Sequence, residues 1–250
     1  MTLLSGMTAI VTGASSGIGR ETAKLFARQG ANVVVCARRE RELDTLVGEI
    51  ERAGGCAIAV AGDVTRPETH VEAVAAARAE FGGLDVAFNN AGVVGKLAAV
   101  ADLSLADWSD VITTNLTAAF LAAREQIPAM LGNGGGSVIF TSSFVGNSVG
   151  LPGMGAYSSA KAGLVGLVKG LAADYGASGI RANALLPGGV NTAMAGDGAQ
   201  REWAAGLHAM KRIAEPQEIA QAALFLASGM SSFVSGSSLW VDGGNAAVKL

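Results

Sequence analysis

Tyr157 and Lys161 stand four residues apart in Tyr157-Ser158-Ser159-Ala160-Lys161, inside a stretch, Ala156 to Tyr175, whose pattern predicts a long helix. That spacing puts both side chains on one helix face and within reach of each other. A phenol has a reference pKa of about 10, and a neighbouring cation favours its ionised form. The pair could therefore supply a general acid to a carbonyl or a base to an alcohol, with Lys161 lowering the pKa of Tyr157. Tyr-x-x-x-Lys also arises by chance as a helix-surface pair, so its meaning depends on its company. Polar residues gather at the ends of predicted strands: Asn89-Asn90-Ala91-Gly92, Ser142-Ser143, and Pro187-Gly188 with Val190 and Thr192; Asn115 lies in a predicted helix.

A second chemical feature is the turn Thr12-Gly13-Ala14-Ser15-Ser16-Gly17-Ile18-Gly19. The apolar run Thr8 to Val11 before it reads as a buried strand, and Arg20 to Gln29 after it as a helix. Glycines let a ligand approach the backbone, and the free N–H groups of a helix start attract anions. The glycines fall at 13, 17 and 19, which is not the G-x-G-x-x-G spacing of the common dinucleotide fingerprint. Gly13-Ala14-Ser15-Ser16-Gly17 also fits G-x-S-x-G, with Asp197 and His208 following in an order that a serine hydrolase using Ser15 would need. That alternative puts the elbow after the first strand and leaves Tyr157, Lys161 and Asn115 without roles.

These residues need a scaffold that brings strand ends together. Further strands are predicted over Asn32 to Ala37, Cys56 to Ala61, Val86 to Asn89, Ser137 to Thr141, Arg181 to Leu186 and Ser238 to Val241. Helices are predicted over Glu40 to Ala53, Pro67 to about Phe81, Asp107 to Met130, Ala156 to Tyr175 and Glu215 to Ala227. Alternating strands and helices argue an α/β fold: a Rossmann-like doubly wound parallel sheet of about seven strands with helices on both faces, a single domain over 1–250. Ligands of such sheets collect at the carboxyl ends of the strands. The strand Asn32 to Ala37 is followed by Arg38 and Arg39, with no acid until Glu40, a cationic end suited to a 2′-phosphate and so to NADP(H) over NAD(H). The irregular apolar segment 193–212, with Met194, Trp203, Leu207 and Met210, reads as a lid facing a wall built from 94–105 and 147–154.

Taken as an ordered set, these motifs resemble the short-chain dehydrogenase/reductase family in its single-domain branch, from about residue 5 to Gly244. The resemblance implies a cofactor turn at Gly13, Ser15, Ser16, Gly17, Ile18 and Gly19, with Arg38 beside it and Asp63 and Val64 flanking the adenine. Asn89, Ala91 and Gly92 would border the cofactor ribose, and Pro187, Gly188, Val190 and Thr192 the nicotinamide end. It implies a catalytic tetrad of Asn115, Ser143, Tyr157 and Lys161. Ser143 would hold the substrate oxygen, Tyr157 move the proton, Lys161 hold the nicotinamide ribose, and Asn115 hold a relay water. The interval from Ser143 to Tyr157 is one residue longer than the family's usual spacing. Aligning on Phe144-Val145-Gly146 favours Ser143 and leaves Ser142 as the alternative. The implied reaction interconverts a neutral, fairly apolar ketone or aldehyde and its alcohol; a 3-oxoacyl-(acyl-carrier-protein) reductase-like activity is the alternative, weakened by the scarcity of basic residues around 134–136 and Ala173. A homotetramer is also implied, built on 107–130, on the helix with Gly163, Gly166 and Gly170, and on Gly236 to Gly244.

Composition narrows the partners. The 250 residues are 50% hydrophobic and 16% charged, with 35 glycines and a net charge of −3. That balance suits a compact soluble body and offers no footprint for nucleic acid or an anionic membrane. The uncharged stretch 126–160 is too broken by Gly and Pro to span a membrane, and residues 1–8 lack signal-peptide character, so a cytoplasmic protein is expected. Cys36 and Cys56 read as buried free thiols, and with two histidines no metal site is expected.

Overall fold

A computed structural model describes residues 2–248; the ends of the expected 1–250 domain, Met1 and Lys249–Leu250, lie outside them. Seven strands form one all-parallel sheet: β1 (Thr8–Thr12), β2 (Asn32–Ala37), β3 (Cys56–Ala61), β4 (Val86–Asn89), β5 (Gly136–Thr141), β6 (Ile180–Pro187) and β7 (Ser238–Val241). Their order is β3-β2-β1-β4-β5-β6-β7, so the winding reverses between β1 and β4. This reversal opens a crevice at the carboxyl ends of both strands. Here the register pairs Ala9 with Val86 and Val11 with Phe88, which sets Thr12 beside the Asn89 to Gly92 loop.

Among the described residues there are eight α-helices: α1 (Gly17–Arg28), α2 (Glu40–Arg52), α3 (Pro67–Phe81), α4 (Leu105–Ile112), α5 (Ala118–Leu131), α6 (Gly155–Tyr175), α7 (Gly198–Gly206) and α8 (Pro216–Ala227). Successive strand residues point to opposite faces. Ala9, Val11, Val33, Val35, Val86 and Phe88 pack with Phe26, Leu43, Leu46 and Ile219 of α1, α2 and α8. Ile10, Val34, Ala87, Val138 and Phe140 pack with Val74, Ile127 and Leu164 of α3, α5 and α6. Local signals punctuate the helices: Pro67 and Pro216 open α3 and α8, and Gly82, at φ 86°, closes α3, as the fixed φ of proline and the left-handed freedom of glycine allow.

Two expectations need correction. The predicted helix 107–130 is helical throughout but not regular: it starts at Leu105 behind the Ser104 cap, and a π-helical turn, Thr113–Thr117, lies between α4 and α5. Inside that turn the Asn115 side chain donates to the Val111 carbonyl at 2.9 Å, substituting for a backbone donor of the regular ladder. Cys36 is buried, but Cys56 is exposed, because it begins β3, one of the two edge strands of the sheet. Desolvation pushes the Cys36 thiol up to about 12.

Candidate active site

The carboxyl ends of the strands and the segment above them line a cleft of about 720 Å³. At one end lies the glycine turn. Gly13 holds φ +67° and Gly17 φ +56°; an added Cβ would sit 2.9 Å from Asn90 Nδ2 at Gly13, and 3.0 Å from Thr192 Cγ2 at Gly17. Thr12 Oγ1 accepts from the N–H groups of Asn90 and Ala91 at 3.0 and 3.2 Å, locking the turn to the loop after β4. Ser16, at the N-cap of α1, makes no side-chain capping bond, and the first N–H groups of a helix have no intrahelical acceptor.

Beside this turn stand the two arginines that follow β2. Arg38 and Arg39 both line the cleft, but it is Arg39 that reaches across, donating to Ser15 Oγ at 2.8 and 3.2 Å and to Ser16 Oγ at 2.9 Å. Ser15 is thus engaged by a guanidinium, while the His208 ring is occupied with Gly189; the arrangement a hydrolase would need is not formed. Asp63, on the same wall, has its carboxyl held below the usual range by the Thr65 N–H, and secondarily by the Thr65 hydroxyl, Arg38 and Arg66. Val64 and Ile18 line the cleft with it.

At the other end Tyr157 and Lys161 project from α6 toward the end of β5. Lys161 is buried, and its Nζ donates to the Thr141 carbonyl at 2.7 Å and lies 5.6 Å from the Tyr157 ring centroid. Burial pushes this amine down to about 8. Burial also pushes the Tyr157 phenol up, opposed by a hydrogen bond from the Ser143 hydroxyl. The expected depression of Tyr157 by Lys161 is therefore absent here, since the ammonium is turned to Thr141 and desolvation dominates.

The two serines separate clearly. Ser142 Oγ donates to the Lys161 carbonyl at 2.7 Å and accepts from Asn147 Nδ2 at 3.1 Å, bracing α6. Ser143 Oγ accepts from the Val145 N–H at 3.1 Å and meets the Tyr157 phenol. Asn115 is buried and clasps the loop after β4: Oδ1 accepts from the Val93 N–H at 3.1 Å, and Nδ2 donates to the Val93 and Val111 carbonyls, each at 2.9 Å. Both amide hydrogens are used, so the expected hold on a water can come only through an oxygen. Asn89 does not face the main cleft; its amide exchanges hydrogen bonds with Gln126 at 2.8 and 3.0 Å. Ala91, Gly92, Pro187, Gly188, Val190 and Thr192 all line it.

A family model described as enoyl-(acyl carrier protein) reductase matches residues 13–246. A short-chain type dehydrogenase/reductase from Mycobacterium marinum superposes with a TM-score of 0.93 at 34% identity, covering 98% of this chain and 97% of that one. The chain is a short-chain dehydrogenase/reductase. It is similar to the cyclohexanol dehydrogenase of Acinetobacter sp. (strain SE19), 40% identical over 94% of this chain and 93% of the relative. It is also 45% identical to the A-factor type gamma-butyrolactone 1'-reductase (1S-forming) of Streptomyces virginiae, over 97% and 96% of the two chains.

Membership makes this short-chain dehydrogenase/reductase an oxidoreductase of CH–OH groups and implies a nicotinamide cofactor. The cleft fits one: a cradle that a Cβ at Gly13 or Gly17 would obstruct, an open helix start, and a volume continuous from the arginines to Tyr157. Among the described residues no helix is long and apolar enough to cross a membrane, and no group of His, Cys, Asp and Glu is placed to hold a metal. Sequence reasoning missed the parts played by Arg39, Thr12 and His208. Arg39 was in view as half of a basic pair, whereas Thr12 and His208 carry no local signal beyond their residue types.

Proposed function

We propose that the protein is an NADP(H)-dependent reductase or dehydrogenase of a neutral, apolar secondary alcohol and its ketone. The observation that carries this reading is one cleft holding Ser143, Tyr157 and Lys161 at one end and the glycine turn with two arginines at the other. The turn and the start of α1 would hold the pyrophosphate, Arg38 and Arg39 the 2′-phosphate, and Lys161 the nicotinamide ribose. A bound nicotinamide supplies or takes up the hydride. The Ser143 hydroxyl fixes the substrate oxygen, and Tyr157, a phenol that burial makes still harder to ionise, delivers the proton to it. Thr141 anchors the Lys161 ammonium 5.6 Å from the centroid of the Tyr157 ring. A cavity of about 20 Å³ lined by Thr12, Asn89, Asn115 and Thr141 has room for one water, which makes it the relay position next to Asn115.

Substrate preference follows from the walls. Val94, Leu97, Val145, Leu151, Met154, Met194, Trp203 and Leu207 line the outer cleft with no ionisable side chain among them. Such a surface selects by shape and apolar area, and relatives named for cyclohexanol and a γ-butyrolactone agree with a ring-bearing substrate. The deciding assay is a panel of cyclic and open-chain ketones with NADPH and NADH. Tyr157→Phe should lower turnover by roughly 10² to 10⁴-fold, and near-native turnover would overturn the mechanism.

The protein works in the cytoplasm as a homotetramer. Gly163 packs within the chain against Leu116, but Gly166 and Gly170 leave the outer face of α6 open. Phe233 and Met230 are exposed near the edge strand β7, a second face suited to a symmetric contact. Light scattering of the native protein and of Phe233→Asp measures this; a monomeric native protein would refute it.

A further inference from the structure

The lid segment, 193–212, is capped at its outer end, where Asp197 and Gln200 form the capping box of α7. Its inner end is anchored differently. His208 is 1% exposed, and its Nε2 accepts the Gly189 N–H at 2.9 Å. The ring stands edge-on to Phe144, with centroids 5.7 Å apart at 67°, and a Cβ on Gly188 would lie 2.7 Å from its Cε1. A ring nitrogen that accepts a hydrogen bond carries no proton, so the imidazole is neutral with its proton on Nδ1. Nδ1 faces the Asp242 carbonyl without a well-formed hydrogen bond. Nearby, Asn245 Nδ2 donates to the Leu207 carbonyl at 2.6 Å, and the Met210 N–H to the Gly243 carbonyl at 3.1 Å. These bonds fasten the same end of the lid to the loop after β7.

We propose that His208, held as the neutral Nδ1–H imidazole, is the positioning residue that ties the lid to the Pro187–Gly189 strip and so fixes the nicotinamide end of the cleft. The second half of that statement rests on the cofactor reading above; the tie itself does not. Protonating Nε2 would set a donor against the Gly189 donor and break the tie. Among the described residues, the charged group that acts on the ring is Asp242, from the loop after β7, and it favours protonation. Phe144, Gly188 and Gly189 are uncharged, and Lys211 Nζ is turned to the Gly206 carbonyl at 3.2 Å. Burial outweighs Asp242 and holds the imidazole below its ordinary range. The sign follows: the opened form takes up a proton more readily than the tied form, so the tie weakens as pH falls below the ordinary imidazole value of about 6.5.

The chain has two histidines, so long-range proton–nitrogen spectra of the full-length protein, compared with His208→Gln, identify the His208 signal. The expected result is an Nδ1–H tautomer at neutral pH and a slow Gly189 amide, whose exchange, corrected for intrinsic rate, accelerates as His208 titrates. His208→Leu should speed that exchange at every pH and raise the KM for NADP roughly tenfold, with a smaller effect on kcat, as the loss of one buried hydrogen bond predicts. His208→Gln offers an amide oxygen near the position of Nε2. It should bring KM and exchange back toward native values and abolish their dependence on acid pH. An Nε2–H tautomer, an acid dependence that survives in the Gln variant, or native exchange in the Leu variant would overturn the tie. Native NADP KM in the Leu variant with fast Gly189 exchange would overturn the link to the cleft. Failure of the native protein to bind any nicotinamide dinucleotide would refute the cofactor reading and the positioning role, while the spectra and exchange rates would still decide the tie.

Discussion

Gly92→Ala probes the geometry of the proposed tetrad without substituting any of its members. A Cβ built on Gly92 lies 2.6 Å from Asn115 Oδ1 and 3.3 Å from Lys161 Nζ. A carbon and an oxygen come no nearer than about 3.2 Å without strain, so one side must yield by about 0.6 Å. Asn115 cannot yield freely, because three hydrogen bonds pin its amide to Val93 and Val111. Lys161 is tied to Thr141, and Gly92 itself belongs to the loop locked by Thr12. Overpacking of this kind costs about 1–3 kcal/mol, which in a domain of this size lowers Tm by about 2–12 °C. A misplacement approaching 1 Å at reacting groups costs on the order of 10²-fold in rate. Calorimetry and steady-state kinetics on the same preparation separate the two effects. A variant with native Tm and native kcat would show that Asn115 and Lys161 are not packed against Gly92, and the clasp described here would be wrong.

Other perturbations test other parts of the fold. Gly48, inside α2, has open space around its Cβ direction; Gly48→Ala should stabilise by about 0.5–1 kcal/mol, and a lowered Tm would contradict that exposure. Arg181 donates to the carbonyls of Leu226, Ser228 and Ser231 and to Ser231 Oγ, at 2.6 to 3.2 Å, neutralising the end of α8. Arg181→Leu should cost about 3 kcal/mol by stranding those acceptors, and an unchanged denaturation midpoint would refute the cap. Replacing Arg38 by Asp and Arg39 by Ser together should move the NADP to NAD ratio of kcat/KM on the order of 10²-fold toward NAD, as the loss of charge-assisted bonds predicts; an unmoved ratio would place phosphate recognition elsewhere. Lys161 should titrate at about 8 in carbon-detected NMR of lysine side chains, and a value in the ordinary lysine range would show that the amine is not desolvated.

The parallel sheet was legible because its inner strands are covered on both faces: runs such as Asn-Val-Val-Val-Cys-Ala at Asn32–Ala37 have little other use. Pro67 announced the start of α3, since a fixed φ without a donor is tolerated there. The site was legible only as residue types converging on one sheet edge. Which of two neighbours faces the ligand depends on turn geometry that no local periodicity encodes. Thus Arg39, not Arg38, spans Ser15 and Ser16, and Ser142 turns inward to brace α6 while Ser143 meets Tyr157. The π turn at Thr113–Thr117 was invisible for a related reason. Asn115, inside the turn, bonds Val111 one turn back and Val93, 22 positions away, and a helix pattern read along the chain registers apolar spacing but no long-range partner. The pKa of Tyr157 shows the deepest limit. Spacing places Lys161 beside it, yet desolvation by the surrounding fold raises the phenol, opposed by Ser143 alone. A tuned acid is therefore a property of the packed site, and Tyr-x-x-x-Lys identifies its members without stating its protonation.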